Sequence, residues 1–96
     1  MESTFQSARE HPILRTVLNA LAINQFCKEY GYEDKSISIE PDDLKKAGWI
    51  SSILANSPEE KHQFIAASFA KLLYLQNPND EQKTQLAYVI LSRTGI

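Results

Sequence analysis

Between Phe64 and Leu75 the chain is apolar except at Ser68 and Lys71. A segment this short falls well below the roughly 18–20 apolar residues needed to cross a bilayer. A helix apolar on nearly every side is stable in water only where neighbouring helices cover most of its circumference. The stretch therefore predicts a central helix wrapped by others, and with it an all-α bundle. Ala66, Ala67 and Ala70 are small enough to let those neighbours approach closely.

The boundaries of that helix are written beside it. Ser57-Pro58-Glu59-Glu60 offers a hydroxyl cap, a proline where no N–H is needed, and an acid that can reach back to the free amide, so the helix is expected over 58–76. Asn77-Pro78-Asn79-Asp80-Glu81 closes it and opens a last helix, about 79–94, because the residue before proline avoids helical geometry and Asn or Asp can cap the new helix. Leu86, Ala87, Ile90 and Leu91 supply its inner face, Arg93 suits the negative pole of the dipole, and Gly95 is its terminator. Both helices begin with a Ser/Asn-Pro-x-Glu/Asp pattern. Phe64, Ile65 and Ala66 nevertheless correspond to Thr84, Gln85 and Leu86, so the apolar phases differ and the pattern is a shared way of starting a helix, not a solenoid repeat.

Upstream, Pro12 opens a helix over about 12–30 whose expected inner face is Leu14, Val17, Leu18, Leu21, Ala22 and Phe26, and Gly31 closes it. Residues 31–40 are polar apart from Tyr32, Ile37 and Ile39. Two isoleucines without a partner strand make a loop anchored at those positions rather than a sheet. Glu40-Pro41-Asp42-Asp43 starts the next helix, 41–55, in which Gly48 costs about 1 kcal/mol relative to alanine and predicts a bend or a break. Trp49, Ile50, Ile53 and Leu54 are expected to bury the second half. Residues 1–10 carry one large aromatic, Phe5, and read as a short helix or a loosely held arm. The sum is one domain spanning 1–96, with four or five helices.

Ninety-six residues support one hydrophobic core. With 43% hydrophobic and 23% charged residues, the composition is that of a folding chain and not of a disordered one. Ten basic against twelve acidic side chains leave a net charge of −2, so no long-range positive field gathers nucleic acid or anionic lipid. Cys27 has no internal partner for a disulfide, and Met1-Glu2-Ser3-Thr4 lacks the basic flank of a signal peptide. The expected setting is cytoplasmic, with no membrane partner.

Reactive constellations are scarce in the sequence. Gly31, Gly48 and Gly95 are isolated and form no phosphate loop. His11 and His62 are far apart in sequence; His62 with Glu59 reads as a partly exposed pair one turn apart, not as a metal site. Cys27 reads as a small packing residue. The acid pairs Asp42-Asp43 and Glu59-Glu60 are explained by the helix dipole without general acid–base chemistry. No catalytic, metal-binding or cofactor-binding residue is assigned, and the chain is not expected to be an enzyme.

What remains is a surplus of amphipathic aromatics. Tyr30, Tyr32, Trp49, Tyr74 and Tyr88 are more than a bundle this size buries completely, and Tyr and Trp dominate interface energetics. Trp49 with Lys45 and Lys46, and Tyr30 with Tyr32, are the expected partner-binding residues. The last residue, Ile96, comes directly after the terminator Gly95, as at the edge of an excised domain or at an end packed into a partner. These residues point to a non-catalytic protein-interaction domain: a small adaptor or inhibitor, or an accessory domain of a larger assembly. A homodimer is compatible with it. The alternative is a helix-turn-helix-like nucleic-acid binder built on 41–55, gaining basic surface by dimerising or from a partner. Against it, Trp49-Ile-Ser-Ser-Ile-Leu-Ala-Asn offers core-forming side chains where a recognition helix needs Arg, Lys, Asn or Gln.

Overall fold

A computed structural model of the chain describes residues 12–95; the expectations for residues 1–10 and for His11 lie outside the described residues. The described chain is all-α. Helices α1 (Pro12–Tyr30), α2 (Pro41–Ala55), α3 (Glu60–Gln76) and α4 (Glu81–Thr94) occur in that order, with a single 3₁₀ turn, Glu33–Lys35, between α1 and α2. Proline stands first in α1 and α2, where its missing N–H is no loss. Gly31 and Gly95 come just after α1 and α4 with φ of 77° and 70°, the left-handed conformation that closes a helix and that glycine adopts without strain. Among the described residues no helix is long and apolar enough to cross a membrane.

Two helix starts differ from expectation. α3 begins at Glu60, not at 58, and its preceding residue, Glu59, makes no side-chain cap. Ser57 is diverted from capping: its hydroxyl accepts the Glu59 N–H (3.2 Å) and is hydrogen-bonded to Nδ1 of His62. The other ring nitrogen, Nε2, lies 3.3 Å from Glu59 Oε2. His62 is thus not a partly exposed residue but a buried one, 1% exposed. The turn Ser57–Glu59 folds over it. α4 begins at Glu81, where Asp80 caps it by accepting the Lys83 N–H (3.2 Å).

That backbone bond holds the Asp80 carboxyl below its ordinary pKa. A depressed folded-state value means that the cap contributes fully above the ordinary Asp pKa and that its contribution is lost as pH falls through the lowered one. Asp80→Ala should therefore lower the melting temperature at neutral pH, and the melting curves of variant and parent should converge in acid. A gap that stays constant across that titration would remove the cap from the account.

In the packing, α3 touches α1, α2 and α4, as a central helix must, and α2 does the same. Among the described residues α1 and α4 do not touch, so α2 and α3 lie between them. The core is Leu14, Val17 and Leu21 from α1, Ala47, Ile50 and Leu54 from α2, Phe69 and Leu73 from α3, and Ala87 and Ile90 from α4. Among the described residues three neighbours press on α3, and they cover one side. The expectation of a rod wrapped all round is corrected accordingly: Phe64 is 68% exposed, and Tyr74 and Leu75 also face out. Phe64, Ser68, Lys71 and Leu75, spaced four, three and four apart, form the uncovered stripe.

α2 is continuous through Gly48, with neither break nor second helix. The glycine serves packing: a Cβ there would fall 2.9 Å from Leu86 Cδ2, and the Phe69 ring lies within 3.9 Å of the same point. α4 approaches α2 through that gap. The connector 31–40 is anchored at both isoleucines, but only Ile39 does so by its side chain; Ile37 is held by its backbone and not by the expected apolar contact. Asn24 donates to the Ile37 carbonyl (2.8 Å) and accepts its N–H (2.6 Å), satisfying the extended segment as a partner strand would. Ile39 is half-buried against the core while Ile37 is exposed. At the far end of α3, Gln76 donates to Leu21 O (2.6 Å) and Lys28 to Leu75 O (2.7 Å), tying α3 to α1.

Candidate functional site

The phase of α2 decides the site. Ala47, Gly48, Ile50, Ser51, Leu54 and Ala55 are buried; at roughly 100° per residue, the opposite side of the helix carries Trp49, with Lys45, Lys46, Ser52 and Ile53 around it. Trp49 is 67% exposed, and Ile53 faces out with it. This corrects the expectation that both bury the second half of the helix, a role that Ile50 and Leu54 fill. The outward indole is bracketed one turn before by Lys45 and one turn after by Ile53. Neither Lys45 nor Lys46 is in an ion pair among the described residues. Ser52 turns its hydroxyl back onto Gly48 O (3.0 Å), leaving a ridge that is aromatic and aliphatic along its crest and cationic at one end.

Beside the ridge lies a cleft of about 380 Å³ between the start of α2 and the start of α4, with Ile39, Leu44, Leu73 and Leu86 as its apolar walls and Lys45 and Lys83 among its lining. Lys83 is engaged with Asp80 (3.4 Å). Lys45 is the residue common to ridge and cleft. Lys46 stays with the ridge.

Tyr30 and Tyr32 occupy a separate place, the exit of α1. Both are exposed, and the Tyr30 ring stacks on Phe26 with centroids 4.6 Å apart and planes tilted by 33°. The spacing in α1 predicts Phe26 facing inward with Ala22; both face out, and Ala20 and Cys27 take the core positions instead. Tyr74 and Tyr88 meet edge to face at 6.0 Å on the α3–α4 side. All five amphipathic aromatics of the sequence are therefore at the surface. Phe26, Ile53 and Phe64, for which the sequence pattern predicts burial, are there with them.

The reactive groups are dispersed. Cys27 is buried at the end of α1, next to Lys28, which reaches Leu75 O. His62 lies in the first turn of α3, thirteen residues before Leu75 and so about 20 Å away along the helix. Thiol and imidazole stand at opposite ends of α3. Ser57, His62 and Glu59 do form a hydroxyl–imidazole–carboxylate series, but Ser57 and Glu59 belong to the turn that starts α3, where the hydroxyl already accepts a backbone N–H and Gln63 Nε2 donates to the Ser57 carbonyl (2.8 Å). The three groups latch the turn to the helix. Among the described residues no group of three or more His, Cys, Asp or Glu side chains could hold a metal ion.

Comparison of the chain with family models, with curated proteins and with solved structures gives no match.

Proposed function

We propose that this chain is a protein-interaction domain that binds another protein through the outward side of α2, with Trp49 as the anchor. One observation carries the reading: the chain's single tryptophan points away from the core on a helix whose other side is fully packed. An exposed indole costs solvation and returns nothing to the fold, whereas an indole seated in a partner's pocket is among the strongest contacts an interface makes. The neighbouring apolar cleft offers a socket for a side chain of that partner, and Lys45, shared by both, suits an acidic group beside it. Tyr30 and Tyr32, at the exit of α1, would serve a second partner. A freestanding adaptor or inhibitor and an accessory domain of an assembly use such a ridge in the same way. A cytoplasmic setting fits the buried free thiol of Cys27.

Nothing favours the nucleic-acid reading of 41–55, since the segment is one helix without the turn that such a motif requires.

The test is Trp49→Ala. Because the side chain is exposed, the thermal midpoint should hardly move, while affinity for proteins captured from the native lysate should fall by about tenfold or more. Capture is run with nuclease and at raised salt, and the affinity of the identified partner is then titrated with purified proteins. An affinity unchanged by Trp49→Ala, or a capture that nuclease abolishes, would overturn the proposal.

A further inference from the structure

α1 has two apolar sides, and among the described residues only one of them is packed. Leu14, Val17, Ala20, Leu21 and Cys27 face the core. Ala22, Ile23, Phe26 and Tyr30, at the complementary spacing, face out, and Phe26, about opposite the core direction, is 55% exposed. Charges on the helix are few: Arg15, Lys28 and Glu29. Lys28 is turned toward α3, where it donates to Leu75 O. Arg15 and Glu29 remain on the outer side, seven residues before and seven after Ala22, so that the three lie in one file along the helix.

That file is positive at its start, apolar at its centre and negative at its end. Its bulk is distributed just as unevenly, with Thr16 and Asn19 slender in the first half and Ile23, Phe26 and Tyr30 bulky in the second. Two such helices fit each other antiparallel: a twofold axis near Ala22 lays the bulky half of each over the slender half of the other and brings opposite charges together at both ends. Side by side in parallel, they would set ring against ring and like charge against like.

We propose that the outer side of α1 is a homodimer interface in which two copies pair antiparallel about Ala22, Arg15 of each meeting Glu29 of the partner subunit. Arg15 already has a contact within its own chain, and five guanidinium donors allow a second. A helix of 19 residues is about 28 Å long. Two of them side by side bury on the order of 1,000 Å², at the bottom of the range for specific interfaces, so the dimer is a weak one, forming in the micromolar range. This surface is distinct from the Trp49 ridge, and its fate does not depend on that of the proposed function.

The experiment is sedimentation equilibrium of the full chain from about 10 μM to about 1 mM, with circular dichroism of every variant as a check on folding. The average mass should rise from 10.9 kDa toward twice that value. Phe26→Ala should hold the chain monomeric. Arg15→Glu and Glu29→Arg should each weaken association by about five- to tenfold, and the double reversal should restore it, because the pair is then re-formed with its signs exchanged. Trp49→Ala should leave the association unchanged. A chain that stays monomeric throughout would overturn the proposal. So would a dimer indifferent to Phe26→Ala, or one weakened by both reversals and not rescued by their combination. Should one single reversal fail to fold, the other and the double reversal still decide.

Discussion

Phe69→Ala should remove about 3–5 kcal/mol of stability, a large part of the roughly 5–15 kcal/mol that holds a typical domain together. Phe69 is the largest fully buried side chain, and its ring faces Gly48 across the α2–α3 contact close to Leu86 of α4. Truncation opens a cavity where three helices meet, and no one helix can collapse into it without leaving another. Five residues earlier in the same helix, Phe64 is two-thirds exposed; Phe64→Ala should shift stability by less than about 1 kcal/mol. Urea denaturation of both variants measures the difference directly. Equal losses would mean that α3 is turned about its axis relative to the packing described above.

That pair of residues also shows where the sequence stops being legible. Both belong to one apolar run, and periodicity within the run gives the spacing of a helix but not its phase. Phase is set by neighbours, which the sequence does not place. α1 repeats the lesson: Leu14, Val17 and Leu21 are inward as expected, yet the inner stripe is completed by Ala20 and Cys27 rather than Ala22 and Phe26, because a second apolar stripe runs beside the first. On α2 the ambiguity lies between adjacent residues, Trp49 against Ile50 and Ile53 against Leu54. One member of each pair is core and the other is surface. A cue exists in the sequence: apolar residues on two sides of a helix, with few charges between them, announce either burial on both sides or an outward face with a use.

Punctuation is the legible part, since it depends on local chemistry alone. Proline at the first turn of α1 and α2, glycine past the ends of α1 and α4, and Asp80 as a cap all stand where backbone geometry asks for them. Two local signals mislead: Gly48, which does not break its helix, and the cap at Ser57, which is overridden by a residue five positions on. His62 needs a hydrogen-bond partner once α3 packs down on it, and the Ser57 hydroxyl is drawn to the buried imidazole while it accepts the Glu59 N–H, so the turn through Glu59 stays outside the helix. Of the candidate site, the residue types are readable and their grouping is not. Lys45, Lys46 and Trp49 share a ridge, whereas Tyr30 and Tyr32 sit at the exit of α1, where Tyr30 stacks with Phe26 rather than with Trp49.

Gly48 looks in the sequence like a weak point in its helix, and packing gives it the opposite meaning. The 2.9 Å approach of Leu86 Cδ2 to the site of a missing Cβ involves the end of a flexible side chain, so a methyl group there can be accommodated by a rotation of Leu86. Alanine also recovers about 1 kcal/mol of helix propensity. The two effects offset, and Gly48→Ala should lie within about 1 kcal/mol of the parent. Gly48→Leu has no such escape, because a branched side chain must displace Leu86 and press on the Phe69 ring behind it. Overpacking of this kind should cost about 2–3 kcal/mol and separate α4 from α2. A double-mutant cycle isolates the cause: with Leu86→Ala in the background, the clash is gone, and Gly48→Ala should become stabilising by about the propensity difference alone. If Gly48→Leu melts with the parent, or if the cycle shows no coupling between positions 48 and 86, then α2 and α4 do not meet at this glycine and its place in the helix has some other origin.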